Sequence, residues 1–225
     1  RLLGLPHRPV EIFSLATQLG RLEEPVLQKL GVDTRCLRTR VPVGQEPLLR
    51  EDERHRFYED EWGIRWQMPK PHGLYYDIGR FPLAACASVR DVERHRWPDP
   101  HDPSRYAGLS AEARRLNADS GAGLVMERHT GGIFETAWWL RGLDNLLADL
   151  ALGSAVGEAV LDKVLEHKLA YWEHALTEVA GEIVVAAEAD DLCTQNGLLM
   201  SLPMYRRYLK PRHRQLFALI KSRAP

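Results

Sequence analysis

Two short apolar runs in this chain end in clusters of ionisable residues, and chemistry is most plausibly sited there. Ile183 to Ala187 is followed by Glu188, Asp190 and Asp191, while Leu124 to Arg128 carries Glu127 and leads into His129-Thr130-Gly131-Gly132. Continuous runs of this kind fit strands covered on both faces in a parallel sheet. In α/β folds ligands bind at the carboxyl ends of such strands, where acids and a histidine can position a substrate and handle its protons. Asp190 and Asp191 could equally cap a loop or pair with nearby arginines. The glycines after His129 belong to neither a Walker lysine pattern nor Gly-x-Gly-x-x-Gly, so no nucleotide loop is expected.

The elements that must position these residues read as crossovers. Trp139, Leu143, Leu146, Leu147 and Leu150 mark one helical face, Gly153-Ser154 breaks it, and 155–179 forms a long amphipathic helix returning to the second run. Strand, helices, strand is a βαβ unit, and repeated units imply a parallel sheet flanked by helices. Upstream, Val10 to Leu30 shows helical spacing that stops at Gly31, and 32–38 reads as a strand. The aromatic runs 60–68 and 73–78 flank Pro69-Lys70-Pro71-His72 and predict a β-hairpin inserted outside the main sheet. A helix over 88–94 starts at a capping serine, a proline-rich surface loop follows at 97–103, and another helix covers 109–117. Ser201 is placed to cap a short helix that breaks before a second one starting at Pro211.

Composition narrows the function classes. With 225 residues, 44% of them hydrophobic, the chain can build one large core or two small ones. Thirty basic and 31 acidic side chains give a net charge of -1, which offers no overall field for nucleic acid or an anionic membrane. Three scattered cysteines form no disulfide framework or Cys-x-x-Cys knuckle, and no stretch approaches the length that spans a bilayer, so a cytoplasmic setting is expected.

Several segments, taken in order, carry a resemblance. Asp60-Glu61-Trp62-Gly63-Ile64, Tyr76-Asp77-Ile78 with Pro82-Leu83, and Trp97-Pro98-Asp99-Pro100 are followed by Gly132-Ile133-Phe134-Glu135 with Leu140-Arg141-Gly142. Asp190-Asp191-Leu192-x-Thr194-Gln195, Met204-Tyr205-Arg206 and Lys210-Pro211-Arg212-His213 complete the set. Together they resemble the uroporphyrinogen decarboxylase superfamily, which also contains cobalamin-dependent methyltransferases. The resemblance implies an α/β fold, a (β/α)8 TIM barrel, here incomplete and carrying the inserted hairpin. It also implies that 1–225 is a single barrel domain truncated at both ends.

The Asp190-Asp191-x-x-Thr194-Gln195 pattern is more similar to the methyltransferases, which implies methyl transfer to or from a cobalamin or thiol acceptor. Asp190, Asp191 and His129 are then the candidate catalytic residues, and Gln195, Glu127, Tyr205, Trp138 and Tyr76 the candidate substrate contacts. Trp138 stands where decarboxylases place a tyrosine. The resemblance implies zinc and a corrinoid partner protein, with the zinc ligands beyond Pro225 and none within this chain. The alternative reading is a cofactor-free decarboxylase acting on a tetrapyrrole of heme biosynthesis. A third is an inactive truncated barrel or binding module whose open sheet edges favour association, including with a second copy.

Overall fold

The computed structural model describes residues 4–6 and 9–224; Arg1 to Leu3 and Pro225, where the expected truncations fall, lie outside them, as do His7 and Arg8. A small hairpin of β1 (Ile12–Ser14) and β2 (Leu19–Gly20) precedes α1 (Glu24–Lys29) and β3 (Thr34–Leu37). The helix or helix pair expected over 10–30 is therefore reduced to α1. Pro25 lies in its first turn, where proline is tolerated but through which a helix cannot continue. Gln18, at a φ of 56°, turns the chain between β1 and β2.

The inserted hairpin is present in enlarged form. β4 (Arg50–Glu51), β5 (His55–Glu59), β6 (Arg65–Pro69) and β7 (Asp77–Arg80) make a four-stranded antiparallel sheet in sequence order. Asp60 closes the β5–β6 turn. Its Oδ1 accepts from the Trp62 and Ile64 amides at 2.9 and 3.0 Å, and its Oδ2 accepts from Trp66 Nε1 at 2.7 Å. Three hydrogen bonds to one carboxylate explain why Asp60-Glu61-Trp62-Gly63 is a turn and not the strand its aromatic content suggested.

Three helices follow, α2 (Val89–Glu93), with its Ser88–Asp91 capping box, α3 (Pro103–Tyr106) and α4 (Leu109–Ser120), of which α2 and α4 lie where the sequence pattern placed them. β8 (Gly123–Glu127) is then followed by α5 (Ile133–Arg141), α6 (Leu143–Leu152), α7 (Ala155–Val179) and β9 (Val185–Ala187). β3, β8 and β9 form a three-stranded parallel sheet in that order. The central helix α7 packs on α5, α6 and the C-terminal helix over 210–223, and buries Trp172 and Tyr171 completely.

Register decides which face of this sheet is core. Leu37, Met126 and Ala186 lie side by side, and the first two are fully buried; Cys36, Val125 and Val185 form the next row, in which Cys36 and Val185 are exposed. The apolar run at 183–187 was expected to be covered on both faces. It is instead an edge strand with one face open, on which Val185 is 45% exposed. The expected (β/α)8 barrel is not seen: the described residues form a mixed α/β fold whose parallel sheet has three strands.

After β9 come a second small hairpin, β10 (Cys193–Thr194) and β11 (Gly197–Leu198), then α8 (Leu202–Met204), a π-turn at Tyr205–Leu209 and α9 (Lys210–Arg223). Ser201 caps α8 as expected, its hydroxyl accepting from the Met204 amide. The break expected before Pro211 is a wider turn within a continuous helix, in which the Lys210 amide reaches back to the Tyr205 carbonyl. Proline lacks the N–H that a regular ladder needs here, and a π-turn absorbs the missing bond.

Candidate functional site

The carboxyl ends of β3 and β8 open into one cleft of about 300 Å³. Arg38, Thr39 and Arg40 leave β3, Glu127, Arg128 and His129 leave β8, and Glu61 and Arg105 enter from the side. Phe13, on the β1–β2 hairpin, covers the cleft and stacks 4.1 Å from the Arg38 guanidinium. Three of the four arginines have carboxylate partners: Arg38 with Glu127, Arg105 with Glu61, and Arg128 with Glu135 at 3.5 Å. Arg40 is exposed and has no carboxylate partner among the described residues. Burial raises the Glu127 carboxyl, but hydrogen bonds from Arg38 and the Cys36 thiol outweigh it and hold the group below its ordinary value.

Behind this cleft lies a buried polar layer. His129 Nε2 is 2.8 Å from His167 Nε2, and the Trp62 ring lies 4.6 Å from His167 and 6.2 Å from His129. Burial, then His167, Lys168 and Arg105, pushes His129 well below its ordinary value. Burial and Arg105 push His167 down to about 3. Both rings are thus neutral near pH 7. Next along α7, Lys168 Nζ lies 3.0 Å from each oxygen of Glu188, to which Trp172 Nε1 also donates at 2.8 Å.

The acids after β9 have a different occupation. Asp190 Oδ2 accepts from the Phe134 amide at 2.9 Å and Oδ1 from the Glu135 amide at 2.9 Å, while His213 Nε2 lies 2.8 Å from Oδ2. Asp190 therefore caps α5 from another segment, where an anion also complements the helix dipole. Gly132, the residue at the cap position, could not carry a side chain, since a Cβ there would lie 2.2 Å from Asp190 Oδ1. Gly131 beside it makes room for Glu135, whose carboxylate oxygen would lie 2.8 Å from a Cβ there.

The expected site residues thus fall into three places. Glu127 and His129 line the cleft together. Asp190 and Tyr205 line a smaller cavity of about 210 Å³ with His213, on the side of α9. Asp191 and Gln195 are exposed, Gln195 at the tip of the β10–β11 hairpin. Trp138 packs edge-on against Trp139 with its Nε1 buried and unpartnered, and Tyr76 belongs to a separate apolar cluster with Tyr58 and Met68 in the antiparallel sheet. The structure does not bring these last four residues to the cleft. Arg38, Arg40, Arg105, His167 and Lys168 were not singled out from sequence, and His213 was named only within the Lys210-Pro211-Arg212-His213 motif. For His167 and Lys168 a signal existed, because they interrupt the buried stripe of α7 between Val164 and Tyr171.

No family model matches the chain, and no curated protein sequence does. Among solved structures, a methyltransferase from Methanosarcina mazei is similar, with a TM-score of 0.53 and 16% identity over 84% of this chain and 49% of that one. The chain shares the fold of a methyltransferase. It spans about half the length of that protein, and at this identity the likeness is one of fold.

Two further expectations concern groups that the fold relationship brings into view. Among the described residues no three His, Cys, Asp or Glu side chains converge as zinc ligands would, and Cys193 is exposed on β10. These residues do not fit a zinc ion. No helix is long and apolar enough to cross a membrane among the described residues.

Proposed function

We propose that this chain supplies the substrate-binding cleft of a corrinoid-dependent methyltransferase related to the uroporphyrinogen decarboxylase superfamily. The observation that carries the reading is the gathering of Arg38, Arg40, Glu127 and His129 at the carboxyl ends of adjacent parallel strands, in a chain with a methyltransferase fold. Ligand sites in parallel α/β folds lie at these strand ends because the loops there are free to vary over a rigid sheet.

The residues present suit a large polar cofactor presented by a partner protein. Arg40, exposed and without a carboxylate partner, and Arg38, held by Glu127 under Phe13, fit the amide and phosphate groups around a corrin ring. When bound, the corrinoid supplies or receives the methyl group. Phe13 shields the cleft from water, Glu127 fixes Arg38, and His129, neutral and paired with His167, forms part of the inner wall. Arg105 and Glu61, a buried pair, brace the floor.

The reading is tested with the purified protein, methylcobalamin and 2-mercaptoethanol, following the methylcobalamin absorbance. Protein-dependent loss of the methyl-cobalt spectrum, lowered about tenfold in Arg40→Met through loss of a charged hydrogen bond, supports it. Absence of transfer together with decarboxylation of a porphyrinogen would sink it.

A further inference from the structure

His213 is held at one ring nitrogen and left open at the other. Its Nε2 lies 2.8 Å from Asp190 Oδ2, and that carboxylate already accepts from the Phe134 and Glu135 amides at the N-terminus of α5. A helix N-terminus favours an anion, and a carboxylate only accepts, so the hydrogen in the contact belongs to His213 Nε2. The bonding of Asp190 sets this direction. A neutral imidazole that donates from Nε2 carries a lone pair and no hydrogen on Nδ1. His213 is only 8% exposed, yet its Nδ1, which makes no hydrogen bond among the described residues, is not sealed from solvent as the Nδ1 atoms of His129 and His167 are.

The open side of His213 belongs to the cavity of about 210 Å³ beside α9. Its ring lies 5.9 Å from the Tyr205 ring and 5.9 Å from the Phe217 ring, and both of these line the same space. Ile133, Leu192 and Leu216 supply further apolar wall. Glu188 also reaches the cavity, but Lys168 and Trp172 engage its oxygens. Tyr205 opens the π-turn, an irregularity that recurs at functional sites, and its hydroxyl makes no hydrogen bond among the described residues. An apolar space therefore presents one free acceptor and one free hydroxyl. A ligand hydroxyl answers both, giving its hydrogen to Nδ1 and receiving one from Tyr205, whereas a carboxylate has no hydrogen to give and an ammonium no lone pair to receive with. An apolar cavity of about 150 Å³ holds benzene, so this one has room for a ring or short chain with a hydroxyl.

We propose that this cavity is a binding site for a small apolar alcohol or phenol, whose hydroxyl donates to His213 Nδ1 and accepts from Tyr205, while Asp190 fixes the His213 ring. The cavity and the cleft at the ends of β3 and β8 share no lining residue. The inference therefore goes beyond methyl transfer, and binding is read without turnover.

The test is nitrogen NMR of the histidine-labelled protein at about pH 8, where an ordinary imidazole is neutral, titrated in turn with phenol, anisole and toluene. The three share a ring, but phenol both donates and accepts, anisole only accepts and toluene does neither. Free wild type is expected to show His213 with a protonated Nε2 and a bare Nδ1. Phenol is expected to shift the Nδ1 resonance saturably, with anisole binding more weakly and toluene about tenfold more weakly, the worth of its missing hydrogen bonds. Tyr205→Phe keeps the ring and the His213–Asp190 contact, and is expected to weaken phenol about threefold while leaving toluene unchanged. A protonated Nδ1 in free wild type overturns the assigned acceptor, and equal affinity for phenol and toluene overturns the hydroxyl class. Unchanged phenol affinity in Tyr205→Phe overturns the role of Tyr205, and the absence of a saturable shift with phenol overturns the site.

Discussion

Lys168 and Glu188 form an ion pair wholly inside the protein, with Nζ 3.0 Å from both carboxylate oxygens and side-chain exposures of 0% and 4%. It ties the middle of α7 to the end of β9. Burial lowers the Lys168 ammonium despite its partner, which says that desolvation outweighs the attraction of Glu188 for this group. Removing one partner leaves a buried charge alone. Lys168→Met is expected to cost about 3–5 kcal/mol in urea unfolding, and the double variant Lys168→Met/Glu188→Gln to recover a substantial part of it. Equal losses in single and double variants would show that the pair's contribution lies in packing.

Asp190 was expected to act in catalysis, yet its oxygens are engaged by two amides of α5 and by His213. Asp190→Asn is expected to lower stability by about 1–2 kcal/mol, the cost of a weakened cap. Asp191→Asn, at an exposed position, is expected to stay within about 0.5 kcal/mol of wild type. Thermal unfolding of both variants distinguishes them; an Asp190→Asn protein as stable as wild type would contradict the capping role.

Acid lability should report His167. Its folded pKa of about 3 lies below the ordinary value of 6.5, so the unfolded chain binds more protons over that interval and stability is lost as pH falls below about 6.5. The loss attributable to this group approaches roughly 4 kcal/mol near pH 3. His167→Gln is expected to move the acid midpoint, followed by circular dichroism, to lower pH.

Asp60 has the opposite sign. Burial raises it to about 6, against an ordinary value of 3.8, in spite of the Trp66 and backbone hydrogen bonds. Here the folded state binds more protons, so this carboxyl's contribution falls as pH rises from about 4 to about 6, by roughly 3 kcal/mol. Asp60→Asn removes that slope while losing a hydrogen bond, because the amide nitrogen cannot accept from Trp66 Nε1. The stability of wild type minus that of Asp60→Asn should therefore shrink over this interval in urea titrations at stepped pH; a constant difference would contradict the raised value.

Periodicity, caps and breakers determined much of the skeleton. The stripes of α6 and α7, the strands at β3 and β8, and the Ser88 and Ser201 caps follow from local spacing and backbone chemistry, which neighbours in sequence suffice to set. The helical spacing of 10–30 misled because apolar positions recur without a core to receive them, and Pro25 limits the helix from inside. Which of Val185 and Ala186 would face the core was beyond sequence, since both sides of the run are apolar and only the register with β8 and β3 assigns them.

The site divides in the same way. That ionisable residues would gather after β8 and β9 was readable from the runs that precede them. That Glu188 would be neutralised by Lys168, Asp190 engaged as the cap of α5 and His129 paired with His167 was decided only when distant segments packed together. A charge's partner, and its distance from water, fix its chemistry, and both are properties of the tertiary structure.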